Sequence, residues 1–330
     1  AAAVYGERSE MNRRDLLKRL PAGATGCLLL SRLANSSETV PGFKLGFTTD
    51  EVTQDLEAAL RFAREFKLKW VEIRKLWDRY VTETSPDDLK KAKRLCDGYG
   101  IRVSVLDTAL FKCALPGTKP LGNLKDDYPY QEQGQLLDRA IERSEILDTE
   151  FIRIFSFWRV ADPERVWDRV VELVSGMVER ARAHGRILLL ENVGSAMVET
   201  SAESARLLKA IPSPGLGLAW DPANAFCAGE KPFPDGYAML DKTRIRHIHL
   251  RDADRDPGTD RCQWLPVGKG SIDNLGLFRA LIRDRYQGTL SLETHYRRPD
   301  GNRELATRES LSGLLALMRK AREEGTGVGI

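Results

Sequence analysis

Several absences narrow the reading before any motif does. No CxxC pair occurs, and the five cysteines (Cys27, Cys96, Cys113, Cys227, Cys262) are odd in number and widely scattered. Neither a disulfide framework nor a zinc cluster is therefore expected, and the cysteines read as small buried apolar residues. No basic tract stands out after the first forty residues, and a net charge of +3 with 30% charged residues is not a nucleic-acid footprint. No apolar run is long enough to span a bilayer, so stable membrane insertion is not expected. No glycine-rich phosphate turn follows the first strand-like segment, which counts against an open dinucleotide-binding sheet.

Residues 1–40 differ from the rest of the chain. Asn12-Arg13-Arg14-Asp15-Leu16-Leu17-Lys18 resembles a twin-arginine export signal, followed by a mildly apolar stretch from Leu20 to Ala34. Met11 is then the natural start, and a periplasmic or secreted location is expected; if the two arginines belong to a frayed helix, the location is cytoplasmic. Ala24-Thr25-Gly26-Cys27 is too degenerate for a lipidation site.

From residue 41 onward, strand-like and helix-like segments alternate. Strands are expected at Lys44–Thr48, Trp70–Arg74, Ile101–Leu106, Phe151–Phe155, Ile187–Glu191, Leu216–Asp221, Ile245–Leu250 and Thr289–Glu293. Helices are expected at Thr53–Phe66, Pro86–Tyr99, Gln131–Leu147, Pro163–His184, Ala202–Ile211, Tyr237–Lys242, Leu275–Asp284 and Glu304–Glu323. Eight β-then-α units imply parallel strands joined by right-handed crossovers, which close into a (β/α)8 TIM barrel forming a single domain. The Pro- and Gly-rich connection from Asp107 to Tyr130 is long enough to be a substrate-covering loop.

Such barrels place their chemistry at the C-terminal ends of the strands. Glu191, Asp221 and Glu293 each follow an apolar run, and His247 and His249 alternate with Ile248 and Leu250, so both imidazoles share one face. Three carboxylates and an imidazole on neighbouring strands suit a divalent cation. His249 is nearer the mouth and is the expected ligand; His247 lies two residues deeper. Glu72 either reaches the mouth from the second strand or pairs with Arg74 or Lys75.

The segments His247-Ile248-His249-Leu250-Arg251-Asp252, Pro266-Val267-Gly268-Lys269-Gly270-Ser271-Ile272-Asp273, Leu190-Glu191-Asn192, Trp220-Asp221-Pro222-Ala223-Asn224 and Leu292-Glu293-Thr294 together resemble the xylose-isomerase-like TIM-barrel superfamily, in particular its sugar phosphate isomerase/epimerase proteins. The resemblance covers roughly residues 42 to 322. It implies one divalent ion (Mn2+, Mg2+, Co2+ or Zn2+) held by Glu191, Asp221, His249 and Glu293, with Arg255 as a substrate-binding arginine. Relatives that are ketose 3-epimerases usually carry a histidine where this chain has Asn224, so the resemblance reaches the family more firmly than that activity.

The chemistry implied is proton abstraction beside a sugar carbonyl through an enediolate, with Glu191 and Glu293 as acid and base. Return of the proton gives an epimerase or isomerase; loss of a β-hydroxyl gives a related carbon–oxygen lyase, a dehydratase or an enzyme cleaving 3-keto-glycosides. Arg255, Lys269, Glu72, Asn224 and His295 are the expected substrate contacts. A barrel that binds sugar without turnover is a third reading. Abasic-site endonucleases of similar fold hold three zinc ions with many histidines, whereas this chain has only His184, His247, His249 and His295. The expected partner is a small sugar or sugar derivative, with self-association left open.

Overall fold

The computed structural model describes residues 42–256, 258–259 and 261–326; the expected export signal and Cys27 lie outside them. Eight strands form one parallel sheet: β1 (Lys44–Phe47), β2 (Trp70–Ile73), β3 (Arg102–Asp107), β4 (Phe151–Ile154), β5 (Ile187–Glu191), β6 (Leu216–Trp220), β7 (Ile245–Leu250) and β8 (Thr289–Leu292). Their spatial order, β1-β8-β7-β6-β5-β4-β3-β2, is that of a barrel. The seam between β1 and β2 is closed by a parallel bridge between Thr48 and Glu72 and by the Thr49 hydroxyl donating to the Glu72 carbonyl at 3.3 Å. Gly46 makes that seam feasible, because a Cβ there would lie 2.5 Å from the Trp70 carbonyl oxygen.

Helices α1 (Leu56–Glu65), α2 (Pro86–Tyr99), α3 (Gln133–Ile146), α4 (Trp167–Ala183), α5 (Ser201–Ala210), α6 (Pro222–Cys227), α7 (Asn274–Arg283) and α8 (Arg303–Thr326) follow the strands. Their ends obey local chemistry. Ser85 caps α2 by accepting from the Asp88 amide at 3.2 Å, and Gly100 ends it at φ 65°. Thr200 and Glu203 form a reciprocal capping box on α5. The strands are buried on both sides, as parallel barrel strands must be; β6 has no exposed residue. Outward apolar side chains such as Ile248, Leu250, Leu290 and Leu292 join the core beneath the helices.

Several expectations are corrected. The first helix starts at Leu56 rather than Thr53, because the Asp55 side chain accepts from the Glu57 amide at 2.9 Å and sets the cap there. The expected Tyr237–Lys242 helix is a single turn, Tyr237–Met239, ended by extended backbone at Leu240. Among the elements not anticipated are α6, capped by Asp221, and a hairpin pairing Asp252–Arg255 with Cys262–Leu265. That hairpin folds back onto α6, and Cys227 and Cys262, expected as unpaired apolar residues, form a disulfide across 35 residues of sequence; Cys96 and Cys113 are buried and free, as expected.

The segment after β3 is pinned along its length. The amides of Phe155, Phe157 and Trp158 donate to the carbonyls of Leu110, Phe111 and Cys113 at 2.9, 2.8 and 2.9 Å. Asp126 ties it further, accepting from the Ala114 amide at 3.0 Å and the Trp158 indole at 2.7 Å.

Candidate metal centre

Strand alternation turns Glu72, Arg153, His247 and His249 into the barrel, where each is nearly or wholly inaccessible to solvent. Glu191 ends β5, and Asp221 and Glu293 directly follow β6 and β8, all three buried. One ligand atom from each of Glu191, Asp221, His249 and Glu293 lies within 4.8 Å of the others. His249 Nδ1 is at the centre, 3.3 Å from Glu191 Oε1, 3.6 Å from Asp221 Oδ2 and 3.7 Å from Glu293 Oε2. This mixed oxygen and nitrogen set, collapsed around one point, fits a single divalent ion.

The other face of His249 is taken. Its Nε2 lies 3.0 Å from Glu72 Oε1, and Glu72 also accepts from the Thr48 hydroxyl at 3.0 Å. Donation from Nε2–H to Glu72 leaves the Nδ1 lone pair facing the carboxylates, the usual device for fixing a ligand tautomer. Glu72, expected to touch substrate or to pair with Arg74 or Lys75, thus lies wholly buried beneath His249. His247 bonds through Nδ1 to the Thr289 hydroxyl at 2.6 Å, and its Nε2 is 3.3 Å from Glu72.

Three arginines stand against the three carboxylates, and Arg251 also lies 3.6 Å from Glu293 Oε2. Arg153 donates to Glu191 Oε2 at 2.7 Å, Arg74 to Glu293 Oε1 at 2.8 Å, and Arg251 to Asp221 Oδ2. Arg74 also holds Asp50 and Glu51, so the turn after β1 joins the cluster. Burial alone would push Glu191 up, but Arg153 and then His249 hold it down at about 2. Burial likewise opposes ionisation of Glu293, and Arg251 and His295 more than offset it, holding it well below the usual range. Asp107, wholly buried on β3 with neither oxygen hydrogen-bonded, is pushed well above that range by burial despite Arg153.

Strands β5 and β6 are stitched at this end by one side chain. The Asn192 amide group donates to the Asp221 carbonyl at 2.8 Å, while its oxygen accepts the Asp221 amide at 2.8 Å. Asn224, expected to contact substrate, donates through its side-chain nitrogen to the Asn192 carbonyl at 2.8 Å. Asp252 organises the next turn, accepting from the amides of Gly268, Ala253 and Ile272 at 2.8, 3.0 and 3.2 Å. Lys269 is exposed on that turn. His295 lies at the rim, its Nδ1 2.6 Å from Arg251 Nη1 and its ring edge-on to Trp264. Arg255 sits on the hairpin opposite Cys262, its guanidinium beside Gly229 after α6.

Arg74, Arg153 and Arg251 were not anticipated as partners of the carboxylates. Arg153 left a signal, since Phe151-Ile152-Arg153-Ile154 puts one cation inside an otherwise apolar strand. A cavity of about 1040 Å³ opens at the opposite end, where Lys44, Trp70, Arg102 and Phe151 begin or precede their strands; it contains none of these groups.

Residues 60–317 match the family model described as xylose isomerase-like TIM barrel. A curated relative, "Probable endonuclease 4" of Mesomycoplasma hyopneumoniae (strain 7448), is 26% identical over 178 residues, covering 50% of this chain and 63% of its own length. Among solved structures, the IOLI protein with a binding zinc atom superposes with TM-score 0.66 at 19% identity, covering 84% of this chain and 98% of that one. L-ribulose 3-epimerase gives 0.64 at 17%, covering 87% and 98%. The probable 3-DHS dehydratase AsbF from Bacillus anthracis gives 0.63 at 13%, covering 80% and 97%. With the family model matched over most of its length, the chain belongs to the xylose isomerase-like TIM barrel family.

Proposed function

We propose that this chain is a divalent-metal-dependent sugar isomerase or epimerase that removes and returns a proton beside a carbonyl. The observation that carries the reading is the placement of two buried glutamates, Glu191 and Glu293, 3.3 and 3.7 Å from His249 Nδ1. Glu191, Asp221, His249 and Glu293 would hold the ion, which when bound polarises a carbonyl and acidifies the neighbouring C–H.

Each glutamate is tethered by an arginine at one oxygen and turns the other towards His249 Nδ1. Arg153 grips Glu191 Oε2 while Oε1 turns to the centre, and Arg74 grips Glu293 Oε1 while Oε2 does so. One carboxylate takes the proton and the other returns it, a contribution of about 10²–10⁴-fold for such general acid–base work. Return to the opposite face gives an epimer; return to the adjacent carbon interconverts aldose and ketose. The carbon–oxygen lyase reading shares the first step and has a structural neighbour in the dehydratase. Export to an oxidising compartment is part of the proposal, supported by Arg13-Arg14 and by the Cys227–Cys262 disulfide.

The test is solvent-deuterium uptake by a panel of ketoses and 3-keto-glycosides in D2O, read by mass spectrometry. Wild-type protein should label one carbon-bound position of its substrate, and Glu293→Gln should lose labelling while retaining sugar binding by calorimetry. Unchanged labelling in Glu293→Gln counts against the two-glutamate mechanism.

A further inference from the structure

We propose that Lys112, in the field of Arg153, forms an anion subsite at the barrel mouth that receives the carboxylate or phosphate of an acidic sugar. The subsite rests on the reading above only in taking the ligand to be a sugar.

Two cations lie against one aromatic ring. The Lys112 ammonium is 5.0 Å from the centroid of Phe155, and the Arg153 guanidinium carbon is 4.7 Å from the same centroid. Arg153 is accounted for by Glu191, by the Thr108 carbonyl at 3.2 Å and by Asp107 at 3.6 Å. Lys112 is not: among the described residues no carboxylate forms an ion pair with its Nζ, and the nearby acids are committed elsewhere. Glu191 is gripped by Arg153 at 2.7 Å, and Asp127 accepts the Tyr80 hydroxyl at 2.9 Å.

What holds Lys112 in place is its backbone. Its amide donates to the Ala109 carbonyl at 3.0 Å, and the carbonyls of Phe111 and Cys113 on either side accept from Phe157 and Trp158. Phe111 is held at φ 59°, a left-handed conformation that a bulky side chain adopts only when its surroundings impose it. The fold thus holds a half-buried ammonium that shares a ring with a guanidinium and makes no ion pair, and burial and then Arg153 push the ammonium down more than Glu191 and Asp127 raise it. The ring face recovers part of that cost. An anion bound by Lys112 recovers the rest by a charge-assisted hydrogen bond. Because Arg153 grips Glu191 directly, the subsite adjoins the carboxylate cluster, so a sugar could reach both.

The test uses Mn2+-loaded and metal-free protein in parallel, with D-fructose, D-fructuronate and D-fructose 6-phosphate as calorimetric probes of wild type and Lys112→Met. Methionine keeps the apolar stem over Phe155 and removes the charge. The expected result is that at least one anion binds wild type about tenfold or more tighter than D-fructose, and that Lys112→Met loses this gain while its affinity for D-fructose is unchanged. Fructuronate or the phosphate showing the gain identifies the group. The proposal is overturned if neither anion outbinds D-fructose, binding of none included, if the preference survives in Lys112→Met, or if all three affinities fall together. If Mn2+ fails to bind, the isomerase reading falls, whereas the subsite is judged on the metal-free titration.

Discussion

Replacing Glu72 by Gln removes one negative charge from beneath His249 while keeping the side chain's shape and an oxygen able to accept from Nε2. In the native site the carboxylate faces two imidazoles, His249 at 3.0 Å and His247 at 3.3 Å, and receives the Thr48 hydroxyl. A hydrogen bond to a charged group is worth about 1.5–3 kcal/mol and a neutral one about 0.5–1.5. The substitution should therefore weaken the support of His249 by about 1–2 kcal/mol, because the amide no longer matches the positive charge that the imidazole gains on binding a cation. That corresponds to a loss of about five- to thirtyfold in metal affinity, overlapping the range of about ten- to a hundredfold seen when the partner of a ligating histidine is removed. The assay is calorimetric titration of Mn2+ into wild type and Glu72→Gln, with circular dichroism to show the fold intact. An affinity unchanged within about twofold would refute the idea that Glu72 acts through His249.

Two further outcomes concern the cysteines. Alkylation under denaturing, non-reducing conditions followed by peptide mapping should label Cys96 and Cys113 but not Cys227 and Cys262, which are labelled only after reduction; labelling of all four without reduction would show that Cys227 and Cys262 are not joined. Burial pushes both Cys96 and Cys113 up to about 12 from 9.0, and nearby Asp97 and Asp126 add to it. Because the folded-state values are raised, the unfolded chain loses these protons first, so the thiols' contribution to stability is complete below about pH 9 and lost as pH rises towards about 12. The urea midpoint should fall between about pH 8 and pH 10.5, and less steeply in a Cys96→Ala, Cys113→Ala variant; equal slopes would remove the thiols from the account.

The barrel was legible because it is written in local chemistry. Apolar runs of strand length, the Ser85 and Gly100 helix ends and eight repeating units need no knowledge of distant contacts. The convergence of Glu191, Asp221, His249 and Glu293 was legible for a related reason: once strand ends share one rim, a polar group ending an apolar run has only one place to go. What the sequence hid depends on chain segments meeting across the ring. Arg74 reads as a neighbour of Glu72 but reaches Glu293, 219 residues away, because alternation lifts it above Glu72 towards the mouth. Cys227 and Cys262 are unremarkable until an unanticipated hairpin folds onto α6. Glu72 looks available to substrate, yet it is wholly buried against His249.

The claim on which the others rest is that Glu191, Asp221, His249 and Glu293 hold one divalent ion through His249 Nδ1. Electron paramagnetic resonance of Mn2+ titrated into the protein tests it without needing a substrate. One bound ion per chain, showing nitrogen coupling that disappears in His249→Ala, is the predicted result; no bound ion, or a nitrogen signal that persists in His249→Ala, would contradict it.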